Sequence, residues 1–167
     1  MDPHLERLQR EVETVVAGMG KEEMLRHVPG KWCAAEILEH LYLTYTGTVK
    51  GFERVLAAGK SLARKPTWRN RAQALVVVRF GYMPGGMEAP AVARPRGVPM
   101  ETVSANIGSE ILKMDEVIAR CENRFGKKVK VLDHPILGPL TASQWRKLHL
   151  VHGLHHLQQI RRLRDTA

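Results

Sequence analysis

Four of the eight histidines lie between Trp145 and Leu163, in the stretch WRKLHLVHGLHHLQQIRRL. Imidazole ligates metals, carries protons and donates hydrogen bonds, so such a density points to chemistry. Wound as an α-helix, the stretch brings His149, His152 and His156 within about 60° of one another, on the arc that also carries Trp145, Ile160 and Leu163. The three rings then face a core of Leu, Ile and Trp that offers few hydrogen-bond partners, and unpaired buried polar groups are costly. A divalent ion removes that conflict. His152 and His156 stand one turn apart, which lets two ring nitrogens meet at one ion at the roughly 2.0–2.1 Å of a Zn–N bond. One more ligand must come from elsewhere in the chain. His155 falls on the flank of the same helix, as a solvent-facing or subunit-facing residue.

The remaining sequence must supply that ligand and the frame that holds it. A chain of 167 residues suits one domain (1–167) with a continuous core that needs no metal staple. Only 5% of residues are aromatic, and Leu, Ala, Glu, Lys and Arg abound, so an all-α protein is expected. Asp2-Pro3 starts a first helix with Leu5, Leu8, Val12, Val15 and Met19 on one face, stopping at Gly18 and Gly20. Further helical turns follow from Lys21 to His27. A second long helix carries Ala34, Ile37, Leu41, Tyr45, Thr48, Phe52 and Val55 as its buried stripe, with Glu36 and Glu39 on the outer side by phase. His40 lies at the edge of that stripe beside Thr44, Gly47 and Gly51. Residues that small either leave room for a ligand or let helices approach closely, and spacing does not choose between the two.

From Thr67 to Tyr82 a helix is expected, although Leu75 to Val78 has the β-branched look of a strand. MPGGMEAPAVARPRGVP reads as an extended crossover joining parallel neighbours of a bundle. A third helix from about Glu101 to Phe125 carries Val103, Ile107, Ile111, Met114, Ile118, Cys121 and Phe125 on one face. GKKVKVLDHPILGPL is then a loop, and Thr141 to Gln144 is a capping box that begins the histidine helix. Four long helices and one long crossover make a four-helix bundle.

W-x3-EILEHL in the second helix, HPILGPLTASQW before the fourth and HGLHHLQQI within it resemble the DinB/YfiT-like superfamily over nearly the whole chain. Met83-Pro84 and Ala89-Pro90 match the crossover of one of its subgroups. The resemblance implies an up-down-down-up bundle with a three-histidine metal site, carried onto this chain as His40, His152 and His156, binding Zn or Ni. It implies a metal-dependent thiol S-transferase or hydrolase, with a small-molecule substrate and in some members a low-molecular-weight thiol. Cys33 departs from the pattern, standing where the family has a good N-cap; a thiol near a helix amino terminus favours thiolate, but a tolerated cap substitution is the favoured reading. His149 and His134, with Thr44 and Trp145, are candidates for the cavity wall or for hydrogen bonds behind the ligands. For His134 a bond that fixes its own loop is the favoured role. Arg94 and Arg96 in the crossover are candidates for holding an anionic substrate.

A net charge of +9 and a pI near 9.9 suit a nucleic acid or another anion equally. The basic runs Lys127-Lys128-Val129-Lys130 and Arg161-Arg162-Leu163-Arg164 support a second reading, a non-catalytic bundle that binds nucleic acid or a protein through its basic surface. The chain shows no helix-turn-helix signature and no aromatic-interleaved basic sheet, so nucleic acid is not the expected partner. Two cysteines without a CxxC spacing, no signal-like amino terminus and no apolar run of ~18–20 residues fit a bacterial cytoplasmic protein with no membrane partner. Leu148 and His155, if exposed, would offer a surface for a homodimer.

Overall fold

The computed structural model describes residues 1–83 and 88–165. Residues 84–87, within the crossover motif, lie outside the described residues. Helix α1 (Pro3–Val16) starts where the Asp2 carboxylate accepts the His4 N–H at 2.9 Å, with Pro3 in the first turn, where no N–H is needed. A short α2 (Lys21–Leu25) follows. Helix α3 (Ala34–Ala58) starts at Cys33, whose backbone N–H is taken by the Glu36 carboxylate at 2.8 Å, and ends at Gly59 with φ 67°. That left-handed conformation costs glycine nothing. Helix α4 (Trp68–Ala74) runs on into a π-helical turn, Leu75–Arg79, so the valine run that looked strand-like is helical.

Helix α5 (Met100–Phe125) follows the crossover, in which Ala91–Ala93 forms a 3₁₀ turn. The stretch expected as a loop is instead an antiparallel hairpin of β1 (Lys130–His134) and β2 (Gly138–Thr141). Pro135 and the glycine at φ 69°, Gly138, bound its turn, and the Trp145 indole donates to the Leu132 carbonyl at 3.3 Å. The hairpin leads into α6 (Ala142–Asp165), the histidine helix. There the expected capping box is present: the Thr141 N–H donates to Gln144 Oε1 at 2.9 Å and the Gln144 N–H to Thr141 Oγ1 at 3.3 Å.

Contacts along the helices fix their directions. Cys121 donates to the Phe52 carbonyl and Arg124 to that of Leu56, while the amino end of α5 meets Glu39, so α3 and α5 run parallel. Arg161 pairs with Glu11 and Arg164 with Glu23, and Arg146 approaches Asp2, so α1 and α6 are parallel too. His40 meets His152 while Phe52 meets Trp145, so α3 and α6 are antiparallel. This is an up-down-down-up bundle. Parallel α3 and α5 cannot be joined by a tight turn, which is why the sequence spends residues 59–99 on the connection. One core fills the centre, with Leu5, Leu8, Tyr45, Phe52, Ile111, Met114, Ile118 and Leu157 fully buried.

Two residues are placed differently from expectation. Glu39 is buried at 3% exposure, not outward, and accepts backbone N–H groups from Arg96, Gly97 and Val98 at 2.8, 3.2 and 3.0 Å. A carboxylate can satisfy several amides at once, so it clamps the returning limb of the crossover onto α3. Leu148 is buried, which removes it from any surface for a second copy. The buried Cys33 thiol is pushed up from its ordinary pKa by desolvation, so the helix terminus does not make it a thiolate.

Arg146, unremarkable in the sequence, is buried at the junction of three helices. It donates to Asp115 at 3.0 Å and to Glu122 at 2.7 Å, and the Asp2 N–H bonds the other oxygen of Asp115 at 2.8 Å. Glu39→Ala would leave three amides without a partner at ~1–3 kcal/mol for each that water cannot reach. We expect a loss of about 3 kcal/mol or more in urea unfolding, with the histidine trio loosened because the clamp sits next to His40.

Candidate metal centre

His40 from α3 and His152 and His156 from α6 converge at one end of the bundle. His40 Nε2 lies 3.2 Å from His152 Nε2, and His156 Nε2 lies 3.1 Å from the same atom. Two nitrogens bound to one tetrahedral zinc at 2.0–2.1 Å stand about 3.3 Å apart, so these separations are already those of neighbouring ligands. The back of two of the rings is fixed. His40 Nδ1 lies 2.7 Å from the Ala93 carbonyl and His156 Nδ1 2.8 Å from Gln159 Oε1.

A carbonyl oxygen only accepts, so on both rings the proton is on Nδ1 and Nε2 carries a bare lone pair. His152 Nε2 has at most one proton and can satisfy only one of those lone pairs. A cation satisfies all three nitrogens, and the carbonyls behind them are the kind of outer partner that orients metal-ligating histidines. The residues present therefore fit a divalent ion. Burial lowers all three pKa values, with His156 held at about 4 and His152 well below the ordinary value with added repulsion from its neighbours, so the trio is neutral at pH 7 as ligation requires. We expect Gln159→Ala to weaken zinc binding about 10–100-fold, the usual effect of losing an outer partner, as read by competition with a chelating dye.

Beside the trio opens a cavity of about 710 Å³, walled mainly by apolar side chains from α3, α4, the hairpin and α6. Thr44, Trp145, His149 and His134, the wall candidates of the sequence, all line it. The small residues of α3 divide between their two readings. A Cβ on Gly47 would meet nothing within 4 Å, so that position is open cavity, whereas one on Gly51 would strike Leu132 of the hairpin at 2.7 Å. Gly47→Ala should therefore raise stability by ~1 kcal/mol through helix propensity, measured by thermal unfolding.

Two further imidazoles have defined tautomers. Thr48 donates its hydroxyl proton to the Thr44 carbonyl at 3.0 Å, so its oxygen accepts from His149 Nε2 at 3.1 Å, leaving His149 Nδ1 as a buried acceptor without a partner. The ring stacks on Trp145, centroids 5.7 Å apart, and burial pulls its pKa to about 3. His134 Nδ1 accepts the N–H groups of Ile136 and Leu137 at 3.2 and 3.1 Å, so the proton sits on Nε2. That bond fixes the hairpin turn, and burial lowers the pKa to about 4.

Arg94 and Arg96 do not reach the cavity. The Arg94 side chain is held by Glu88 at 2.6 Å and by the Ala89 carbonyl, and the Arg96 backbone N–H bonds Glu39 at 2.8 Å. Among the described residues two carboxylates line the cavity, each paired with an arginine: Glu88 with Arg94, and Asp133 with Arg64 at 2.7 Å. Sequence reasoning missed Gln159, which stands three residues after His156 and was legible from that spacing, and Ala93, whose backbone carbonyl carries no residue-type signal. The basic run at the carboxyl end is also partly spent internally, Arg161 on Glu11 and Arg164 on Glu23.

No curated protein and no solved structure matches this chain. A family model does, over residues 4–163, which include all three ligand candidates and both strands of the hairpin. The chain thus belongs to the family described as protein of unknown function (DUF1569).

Proposed function

We propose that this protein is a DinB/YfiT-like metalloenzyme, a thiol S-transferase or a hydrolase acting on a small molecule, with His40, His152 and His156 holding zinc or nickel. The observation that carries this reading is the opposed lone pairs of the trio, two of them fixed by carbonyls, at the wall of a cavity large enough for a substrate. Three protein ligands leave a coordination position open, the arrangement of catalytic and not of structural sites.

A divalent ion held by His40, His152 and His156 would supply Lewis acidity and lower the pKa of a bound water or thiol to near neutrality. The chain's own residues do the rest. His134 offers a neutral Nε2–H as a donor at the cavity wall, where it orients a carbonyl or other acceptor of the substrate. Trp32, 5.3 Å from the His40 ring, and Trp145 keep that wall apolar and limit water. Both rim carboxylates are engaged by arginines, Asp133 by Arg64 and Glu88 by Arg94.

Incubation of zinc- or nickel-loaded protein with an electrophile and a low-molecular-weight thiol, and separately with activated esters, tests the reading. Turnover of either class that disappears in His152→Ala supports it. Equal rates in the wild type and the variant would reject it.

A further inference from the structure

The segment from Ser61 to Tyr82 was not absorbed by the metal site, yet one of its faces walls the cavity. Ala72, Gln73, Val76 and Val77 line the cavity beside the histidines. The opposite side, with Arg71, Ala74, Leu75, Val78 and Arg79, borders a separate surface groove of about 360 Å³ whose other bank is Lys130, Gln144 and Lys147. The helix is thus a partition with substrate space behind it and a cationic groove with an apolar floor in front.

Two properties of this surface coincide. Among the described residues, this segment and the 3₁₀ turn of the crossover carry the most exposed large apolar side chains of the molecule: Trp68, Phe80, Tyr82 and Val92 are 62–80% exposed, with Leu75 and Val76 also open to solvent. Val76 and Val92 stand on the rim of the cavity itself. Residues 61–82 also contain no Asp or Glu and five Arg or Lys. Arg64 is taken by Asp133 of the hairpin, but Lys65, Arg69, Arg71 and Arg79, with Lys130 and Lys147 across the groove, have no carboxylate partner among the described residues. Arg69 lies over the Trp68 ring at 5.6 Å.

We propose that this face docks on an anionic phospholipid surface, with Trp68, Phe80 and Tyr82 entering the headgroup region and the six unpaired cations resting on the lipid charge. Exposed aromatic and aliphatic side chains interspersed with Arg and Lys are the composition of a helix that lies in a membrane interface. A nucleic acid would use the cations but leave Val76, Val92 and Leu75 in water. A second copy packed face to face would set these cations against their own equivalents. No helix among the described residues is long and apolar enough to cross a membrane, so the contact is peripheral. This departs from the expectation of no membrane partner, which rested on spanning segments alone. It stands independently of the metal.

Sedimentation of the full chain with vesicles of phosphatidylcholine and phosphatidylserine tests it, against phosphatidylcholine alone and against a DNA duplex. The wild type should sediment with the anionic vesicles, and Trp fluorescence should shift to the blue. Arg71→Glu with Arg79→Glu should weaken binding by about 25-fold or more, since each cation near such a surface is worth about fivefold. Trp68→Ala with Phe80→Ala should weaken it as well and abolish the blue shift; all four side chains are exposed, so circular dichroism should be unchanged. The proposal is overturned by no binding to anionic vesicles, by vesicle binding indifferent to the Trp68 and Phe80 changes, by retention on DNA alone, or by a dimer that dissociates on Trp68→Ala.

Discussion

Replacing His152 with alanine should strip the protein of metal. The purified wild type, loaded with zinc and desalted, should carry roughly one ion per chain by elemental analysis, and His152→Ala should fall to background. His152 is the middle of the trio, 3.2 Å from one partner and 3.1 Å from the other, so its removal leaves two nitrogens that no longer share a neighbour. Losing an outer partner of a metal ligand already costs 10–100-fold in affinity, so losing the central ligand should cost more than about 100-fold. His149→Ala is the informative control. That ring is one turn away in the same helix but bonded to Thr48, and metal content should survive its loss. Equal zinc in the wild type and His152→Ala would remove the metal site and the enzymatic reading with it.

Acid should unfold the apo-protein in a window set by its buried imidazoles. Burial holds His149 at about 3 and His134 at about 4, against 6.5 for either ring in the unfolded chain. Over that interval the unfolded chain takes up protons that the folded chain does not, so stability is full above about pH 6.5. It falls as pH drops toward 4 and then 3. For His149 alone, the least accessible of them, the loss is on the order of 5 kcal/mol, comparable to the whole stability of a typical domain. Urea denaturation across this range should show the midpoint falling steeply below pH 6. In His149→Phe, which preserves the stack on Trp145, the slope should drop by about 1.4 kcal/mol per pH unit. An unchanged slope would mean that water reaches and protonates His149 in the folded state. Zinc, bound only to the neutral trio, should extend stability to lower pH than in the apo-protein.

The sequence by itself determined the bundle. Leu5, Leu8, Val12 and Val15, the stripe from Ile37 to Val55, and Val103 to Cys121 are buried as their three- and four-residue spacing requires, because one helix fixes which of its own side chains share a face. The cap at Asp2 and the box at Thr141 to Gln144 were legible for the same reason: donor and acceptor lie within four residues. Within α6 the inward arc of His149, His152 and His156 was also a local property, whereas the packing of α3 against its neighbours decided that Thr44 lines a cavity.

What spans the chain was decided only by tertiary structure. The place of His40 came from resemblance, since phase put it at a stripe edge, and only the antiparallel packing of α3 on α6 sets its Nε2 against that of His152. The Ala93 carbonyl, 53 residues from His40, is invisible in residue types because every residue has one. Glu39 read as outward because a carboxylate is ordinarily solvated, until three amides of the returning crossover provided the solvation instead. The hairpin escaped detection because β1 and β2 are short and each is recognisable only against the other. Periodicity reports the side of an element that faces inward; only the packed chain says what it finds there.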